Sequence, residues 1–150
     1  MIITFLGHRD LYECEYLCEK IKKALTENIK SDESTLFYCG GYGDFDNLCA
    51  RACRSIKEKR SNCELIFVTP YITASQQEKM KYLIDSKLYD SIIYPPLEKI
   101  PPRLAIIQRN EWMINEADIV ITYVNRTYGG AYKSLIYAKR LKKKIIDLTV

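Results

Sequence analysis

Apolar and polar positions alternate along the chain with two different periods. Short apolar runs, typical of buried strands, are separated by longer stretches in which apolar residues recur every three or four positions, as on one face of a helix. The pattern predicts six strands, at Ile2–Leu6, Thr35–Cys39, Leu65–Thr69, Ser91–Tyr94, Asp118–Val124 and Lys144–Leu148. It predicts five helices, at about 10–29, 46–60, 74–87, 103–116 and directly after Gly129-Gly130.

Strand and helix follow each other in turn through all 150 residues. This βαβαβαβαβαβ order predicts a mostly parallel sheet with helices on both faces. One connection is irregular, because proline cannot continue a helix or a central strand, and it is marked by Pro95, Pro96, Pro101 and Pro102. A chain of this length is typical of one domain. We therefore expect residues 1–150 to form a single α/β domain, a Rossmann-like three-layer sandwich.

The six glycines fall at three places, each directly after a predicted strand. They follow the first, second and fifth strands: Gly7, then Gly40, Gly41 and Gly43, then Gly129 and Gly130. Ligands of open α/β sheets bind beyond the carboxyl ends of the strands. Glycine at such positions lets the backbone turn tightly and lets a ligand approach its amide groups. We therefore expect the three places to form one cleft.

Two of the glycine segments have the character of phosphate sites. The segment Gly40-Gly41-Tyr42-Gly43 is expected to form an anion cradle. The segment from Asn125 to Gly130 leads into a helix, whose first N–H groups suit a phosphate. Two compatible roles stay open for the acidic residues that follow the first of these segments: Asp44 and Asp46 hold a ribose, or Asp46 caps the helix.

Polar and aromatic side chains beside the glycines complete the predicted site. The only histidine, His8, and its neighbour Arg9 directly follow the first strand, and an arginine can grip a phosphate with two parallel hydrogen bonds. The aromatic residues next to the glycine loops are candidates for stacking on a base: Tyr42, Phe45, Tyr123 and Tyr128. The single tryptophan, Trp112, is expected in the core or an interface.

Charge and hydropathy argue against several classes of partner. The net charge is +4, and the one dense basic run, 139–144, closes the last helix, where cations suit the helix dipole. Proteins that bind nucleic acids usually present a larger basic face interleaved with aromatic residues, so we do not expect a nucleic acid partner. No apolar run approaches the roughly 18–20 residues that cross a bilayer, and the first is too short for a signal peptide. We therefore expect a cytoplasmic protein without membrane contact.

Four of the six cysteines form two pairs with helical spacing, Cys14 with Cys18 and Cys49 with Cys53. Each pair shares one helix face, where a free thiol packs as a small apolar group. This spacing differs from the tight knuckles of structural zinc sites, and disulfides are rare in cytosolic proteins. We expect core packing and no metal site. Neither a P-loop nor a dinucleotide fingerprint is present, and we expect no cofactor.

Four motifs occur in one order along the chain: 4–9 (Thr-Phe-Leu-Gly-His-Arg), 40–46 (Gly-Gly-Tyr-Gly-Asp-Phe-Asp), 108–113 (Gln-Arg-Asn-Glu-Trp-Met) and 117–130. Together they resemble the SLOG superfamily of DprA/LOG-like Rossmannoid proteins, and within it the small YpsA-like members. The resemblance covers nearly the whole chain. It implies a domain that binds nucleotides or nucleotide-derived ligands and, by analogy with its relatives, a homo-oligomer.

The resemblance also implies roles for single residues. Arg109 corresponds to the arginine that faces the ligand in LOG-type enzymes, and Gly129-Gly130 to their phosphate-binding loop. The LOG pattern continues with Gly-Thr and then a catalytic glutamate, whereas this chain continues with Ala-Tyr-Lys-Ser at 131–134. Cleavage of a glycosidic bond commonly relies on carboxylates that position water and stabilise positive charge. The missing glutamate therefore favours binding over hydrolysis.

The leading hypothesis is a domain that binds a small nucleotide or NAD-derived ligand, such as an ADP-ribose-like or cyclic nucleotide signal, for sensing or sequestration. The alternative is a LOG-type phosphoribohydrolase, an N-glycosidase acting on nucleoside 5′-monophosphates. The candidates for a catalytic role are Arg109, Asp44, Asp46 and Glu111. The expected ligand-binding residues are Gly7, His8, Arg9, Gly40, Gly41, Tyr42, Gly43, Asp44, Phe45, Arg109, Asn110, Tyr123, Asn125, Gly129 and Gly130.

Overall fold

All the predicted strands and helices are present, with ends that differ by a few residues. The computed structural model describes residues 1–11 and 14–150, and of Cys14 it describes the backbone alone. The strands are β1 Ile2–Gly7, β2 Thr35–Cys39, β3 Cys63–Val68, β4 Ser91–Ile93, β5 Ile119–Tyr123 and β6 Lys144–Asp147. The helices are α1 Cys14–Asn28, α2 Gly43–Lys59, α3 Ala74–Asp85, α4 Ala105–Glu116 and α5 Gly129–Arg140.

The six strands form one sheet in the order β4-β3-β2-β1-β5-β6, and every pair of neighbours is parallel. The chain builds outward from β1 to β4 and then crosses back to place β5 on the other side of β1. Helices α1, α2 and α3 pack on one face of the sheet, and α4 and α5 on the other. Because α1 and α5 leave neighbouring strands toward opposite faces, the loops after β1 and β5 part and open a crevice.

The larger core lies between the sheet and α1–α3. Cys18, Cys49 and Cys53 belong to it and are buried among apolar side chains, so the prediction of core packing is confirmed for these three thiols. The side chain of Cys14 lies outside the described residues. Strand β1 is buried over its middle four residues, as expected for a parallel strand covered on both faces.

The proline-rich connection ends in a 3₁₀ turn, Pro102–Leu104, that leads directly into α4. On α4, the Trp112 ring stacks on Tyr38 with 5.6 Å between ring centroids, and both belong to a smaller core on the second face of the sheet. The expected packing role of Trp112 is confirmed. Among the described residues, no helix has the length and apolar character needed to span a membrane.

Candidate functional site

A cleft of about 620 Å³ opens at the carboxyl ends of the central strands, where the crevice between β1 and β5 is expected. It is lined by the loop after β1, the start of α2, the middle of α4 and the connection from β5 into α5. The predicted residues that it brings together are Gly7, His8, Arg9, Tyr42, Asp46, Arg109, Asn110, Glu111, Gly129 and Gly130. Residues from all three glycine segments therefore meet in one place.

Arg109 forms a buried wall of this cleft. Its side chain is only 1% exposed. Nη1 donates to the carbonyl oxygens of Gly40 at 3.0 Å and Val68 at 2.7 Å, and Nε donates to Oδ1 of Asn110 at 2.9 Å. Burial lowers the pKa of Arg109, and the negative charge of Asp46 opposes that shift. Within the described residues, Arg109 forms no salt bridge and its Nη2 has no hydrogen-bond partner. The cleft wall therefore contains a buried cation that no carboxylate of these residues contacts.

Asp46 presents a carboxylate to the same cleft. Helix α2 begins at Gly43 with Tyr42 as its N-cap residue, so the interpretation of Asp46 as the N-cap is wrong. Instead, Oδ2 of Asp46 accepts the backbone N–H of Tyr42 at 3.0 Å from within the helix. Burial raises the pKa of Asp46 to about 6, although the Tyr42 N–H and Arg109 both favour the charged form.

Asp44, the other acidic residue of this segment, lies outside the cleft. Its Oδ2 accepts the backbone N–H of Leu11 at 2.9 Å, and its own N–H donates to the carbonyl of Arg9 at 2.7 Å. These bonds tie the loop after β1 to the start of α2. The expected contact between Asp44 and a ligand is therefore replaced by a structural role, because the carboxylate is engaged with the backbone on another side of the helix.

The three glycines of the predicted anion cradle at 40–43 lie outside the cleft and make room for protein atoms. A Cβ on Gly40 would lie 2.9 Å from Cζ of Arg109, and one on Gly41 would overlap the Phe67 ring. Gly43 has a φ of +85°, and its Cβ would lie 2.7 Å from Cα of Arg9. None of these glycines lines the cleft. This segment contributes Tyr42 and Asp46 to the cleft instead.

Gly129 and Gly130, in contrast, have empty space where a side chain would lie. A Cβ on either residue would meet no atom within 4 Å, and Gly129 has a φ of +90°. They form the first turn of α5, whose N-cap residue Tyr128 makes no side-chain capping bond. The first N–H groups of a helix have no partner within the helix and carry its positive dipole end. This end of the cleft has the geometry of an anion site.

His8 connects the ends of β1 and β5. Its Nε2 accepts the backbone N–H of Asn125 at 3.0 Å, so the proton of the neutral ring is on Nδ1. Burial first, and the charge of Arg126 second, lower the pKa of His8. The side chain also lines the cleft, but Asn125 itself does not. His8 therefore positions the loop that leads to Gly129.

The aromatic candidates divide into two groups. Phe45 is fully buried and stacks on Tyr123, with 6.2 Å between ring centroids. Neither lines the cleft. Phe45 is enclosed by the protein, so its predicted role as a stacking partner for a base is wrong. Tyr123 is partly exposed beside His8, Asn125 and Arg126, so its role stays a prediction. Tyr42 is 37% exposed and Tyr128 69% exposed, and both lie at the cleft rim.

Three polar or charged residues of the cleft were not predicted as site residues: Arg126, Lys133 and Ser134. Lys133 lies one helical turn after Gly129-Gly130, and helical side chains lean toward the N-terminus of their helix. That spacing was a usable signal. The resemblance to LOG-type enzymes does not carry this signal, because their pattern has a glutamate in this turn where the present chain has Lys133.

Comparison with known proteins shows similarity in structure alone. No protein-family model matches the sequence, and no curated protein matches it significantly. Solved structures do match. DNA processing protein A (DprA) from Helicobacter pylori is 17% identical and superposes with a TM-score of 0.64 over 98% of this chain and 64% of its own. DprA from Streptococcus pneumoniae is 10% identical, with a TM-score of 0.63 over 97% of this chain and 49% of its own.

A third solved structure that matches is TM1055. It is 13% identical, with a TM-score of 0.59 over 96% of this chain and 71% of its own. The present chain thus spans about half of one DprA chain and about two thirds of the other. At these identities the matches establish the fold.

The comparison overturns one expectation from the sequence. The Helicobacter pylori protein is described by its mode of binding single-stranded DNA, so exclusion of nucleic acid as a partner was wrong. That exclusion relied on the lack of a large basic face. Single strands are instead held in cationic grooves with aromatic side chains on which the bases stack, and such a groove requires few residues. The chain shares its Rossmann-like fold with both DprA structures and with TM1055; membership of the SLOG superfamily and of its YpsA-like group stays a prediction.

Proposed function

We propose that the cleft binds a nucleotide or a nucleotide-derived ligand and holds it by its phosphate. The observation that carries the proposal is the presence, in one cleft, of the buried Arg109 and the open N-terminus of α5. The charged side chains of the lining are predominantly basic: Arg9, Arg109, Arg126 and Lys133 against Asp46 and Glu111. A concave surface with an excess of positive charge concentrates anions.

The phosphate is best accommodated at the α5 end of the cleft. The free N–H groups at Gly129 and Gly130 donate to phosphate oxygens without interference from a Cβ. Arg126 and Lys133 line the same end and supply full positive charges. Hydrogen bonds between charged partners are about twice as strong as those between neutral ones.

The exposed aromatic rings are candidates for stacking on the base of the nucleotide. Tyr42 and Tyr128 lie at the rim of the cleft, with part of each ring free to solvent. A ring at such a rim offers an apolar face to a planar base. Arg9, Lys79 and Arg109 lie over the Tyr42 ring, at 5.6, 5.8 and 5.7 Å from its centroid, so Tyr128 is the more open of the two rings.

Binding without cleavage is the favoured form of this function. Breaking an N-glycosidic bond passes through a sugar with cationic character, which carboxylates stabilise. On the first turns of α5, this chain has Lys133 among the residues that replace the LOG glutamate. A lysine there attracts a phosphate and opposes a developing cation. Sensing or sequestration of the ligand follows from this chemistry.

Calorimetric titration with AMP, ADP-ribose, cyclic AMP and inorganic phosphate tests the proposal. We expect the nucleotides to bind, and Lys133→Gln to weaken AMP binding by about threefold to tenfold. Lys139→Gln, on the last turn of the same helix, is the matched control and leaves affinity unchanged. Chromatography of the same samples should show intact ligand. Absence of binding heat for every nucleotide contradicts the proposal, and release of free base at an enzymatic rate contradicts binding without cleavage.

A single strand of nucleic acid is the second candidate ligand. It is favoured by the fold shared with a protein that binds single-stranded DNA and by Tyr42 and Tyr128 beside the cations of the cleft. Fluorescence anisotropy with a labelled oligothymidylate tests it, since backbone binding weakens steeply with salt. Affinity for the oligomer well above that for the mononucleotide would make this the main function, and no anisotropy change at low salt would exclude it.

A further inference from the structure

Asp46 lines the cleft, and one of its two carboxylate oxygens has no hydrogen-bond partner among the described residues. Oδ2 accepts the Tyr42 N–H at 3.0 Å, whereas Oδ1 receives no hydrogen bond from the described residues. Asp46 lines the cleft, and in the described part of the chain it forms no salt bridge. A carboxylate accepts hydrogen bonds and repels phosphate. The ligand group that meets Oδ1 is therefore a donor, such as a hydroxyl.

Asp46 and the predicted anion site at Gly129-Gly130 lie at different places along the same edge of the sheet. Asp46 belongs to the segment after β2, and Gly129-Gly130 to the segment after β5, with β1 between the two strands. Two strand spacings of about 4.8 Å place the ends of β2 and β5 roughly 10 Å apart. A ligand that fills the cleft thus presents an anion at one end and a hydrogen-bond donor toward the other. A nucleotide has this arrangement, because its sugar hydroxyls lie between its phosphate and its base.

We propose that Asp46 accepts a hydrogen bond from a ribose hydroxyl and so selects ribonucleotides over deoxyribonucleotides. This inference rests on the proposed function and specifies the ligand of the same cleft. Without the hydroxyl, the carboxylate loses its partner in a site from which the ligand has displaced water. Sites built to bind a hydroxyl reject the analogue that lacks it for this reason.

The energetics of the folded protein support this role. Burial raises the pKa of Asp46, which means that the ionised carboxylate opposes folding at neutral pH. Its bond to the Tyr42 N–H does not require the charge, because an asparagine oxygen accepts the same bond. The charge of Asp46 interacts favourably with Arg109, but burial makes its net effect on the fold unfavourable at neutral pH, whereas it provides the ligand with a strong acceptor.

Calorimetric titrations with AMP, 2′-deoxy-AMP and 3′-deoxy-AMP test the inference on three proteins: wild type, Asp46→Asn and Asp44→Asn. We expect wild type to bind AMP about 10- to 100-fold more tightly than the analogue that lacks the bonded hydroxyl. In Asp46→Asn that ratio falls to near one. Asp44→Asn makes the same change of charge two residues away, outside the cleft, and keeps the wild-type ratio.

The outcomes separate the inference from the function on which it rests. If wild type binds no nucleotide, the proposed function fails. If wild type binds AMP and both deoxy analogues equally, the proposed function stands and the role of Asp46 is refuted. The role is also refuted if Asp46→Asn folds, as circular dichroism reports, and keeps the preference. A loss of affinity for inosine monophosphate as large as that for the deoxy analogues would make the base amino group the donor and overturn the assignment to ribose.

Discussion

Replacing Arg109 by methionine tests how much the hydrogen bonds of the guanidinium contribute to stability, because the substitution removes these bonds and keeps most of the apolar side chain. Methionine keeps an unbranched apolar chain in this buried position and donates no hydrogen bond. The carbonyl oxygens of Gly40 and Val68, bound at 3.0 and 2.7 Å, then lose their charged donor. Both lie at the ends of central strands.

The magnitude follows from those two carbonyls. A buried acceptor left unsatisfied costs about 1–3 kcal/mol, so the pair costs about 2–6 kcal/mol. Removal of a buried cation recovers part of this, because the guanidinium had itself lost its hydration, as its lowered pKa shows. We expect a net loss of about 3 kcal/mol in the free energy of unfolding. For a chain of this size, that loss lowers Tm by about 6–12 °C.

Urea unfolding followed by circular dichroism, together with calorimetric melting, measures this loss. Arg103→Met is the matched control, because Arg103 is exposed in the 3₁₀ turn before α4 and its replacement should change stability by less than about 0.5 kcal/mol. If Arg109→Met unfolds with the same free energy as wild type or a higher one, the two carbonyls do not depend on Arg109. Its buried charge would then be a net cost to the fold.

Three further predictions concern the surroundings of the cleft. Gly43→Ala should destabilise the protein by about 1–3 kcal/mol, because of its φ of +85° and the overlap of the new Cβ with Arg9. The control Gly130→Ala, in open space, should change the free energy of unfolding by less than about 1 kcal/mol. Equal losses for the two variants in urea unfolding would contradict this. The pKa of His8, measured from its ring proton by NMR, should lie below 6.5. The stability that His8 contributes is therefore present above pH 6.5 and falls as the pH is lowered. A pKa at or above 6.5 would contradict a buried neutral ring. Because the pKa of Asp46 is raised from 3.8 to about 6, the stability that it contributes is present below about pH 4 and is lost as the pH rises through about 6. Asp46→Asn should therefore stabilise the protein by up to about 3 kcal/mol at neutral pH and by nothing near pH 4, and unchanged stability at neutral pH would contradict the raised pKa.

The fold was predictable because its strongest signals are local. Central strands such as β1 are short apolar runs, and the helices show apolar positions at helical spacing. Parallel order then follows from the alternation of strand and helix. The position of the cleft was predictable for the same reason, since the carboxyl ends of parallel strands share one edge. The first residue of α2 was harder to predict, because the N-cap residue is Tyr42, and tyrosine has no preference for that position.

The identity of the cleft residues was only partly predictable, because it depends on contacts between distant segments. A sequence shows where Cβ atoms are missing but not what fills the space. At Gly41 the space is filled by Phe67, and at Gly130 it is empty. The packing of Phe45, on α2, depends likewise on Gly7 of β1 and Tyr123 of β5. Arg109 was placed in the cleft by resemblance, but its bonds to Gly40 and Val68 required the structure.

The most direct test of the central claim is an NMR titration of ¹⁵N-labelled protein with AMP. We predict saturable shifts that are largest at the backbone amides of Gly129 and Gly130, because these groups surround the proposed phosphate. The amides of Arg51 and Arg54, which line a separate groove beside α2, should not move. Unchanged signals at Gly129 and Gly130, or shifts that cluster at that other groove, would contradict the claim that this cleft binds a nucleotide.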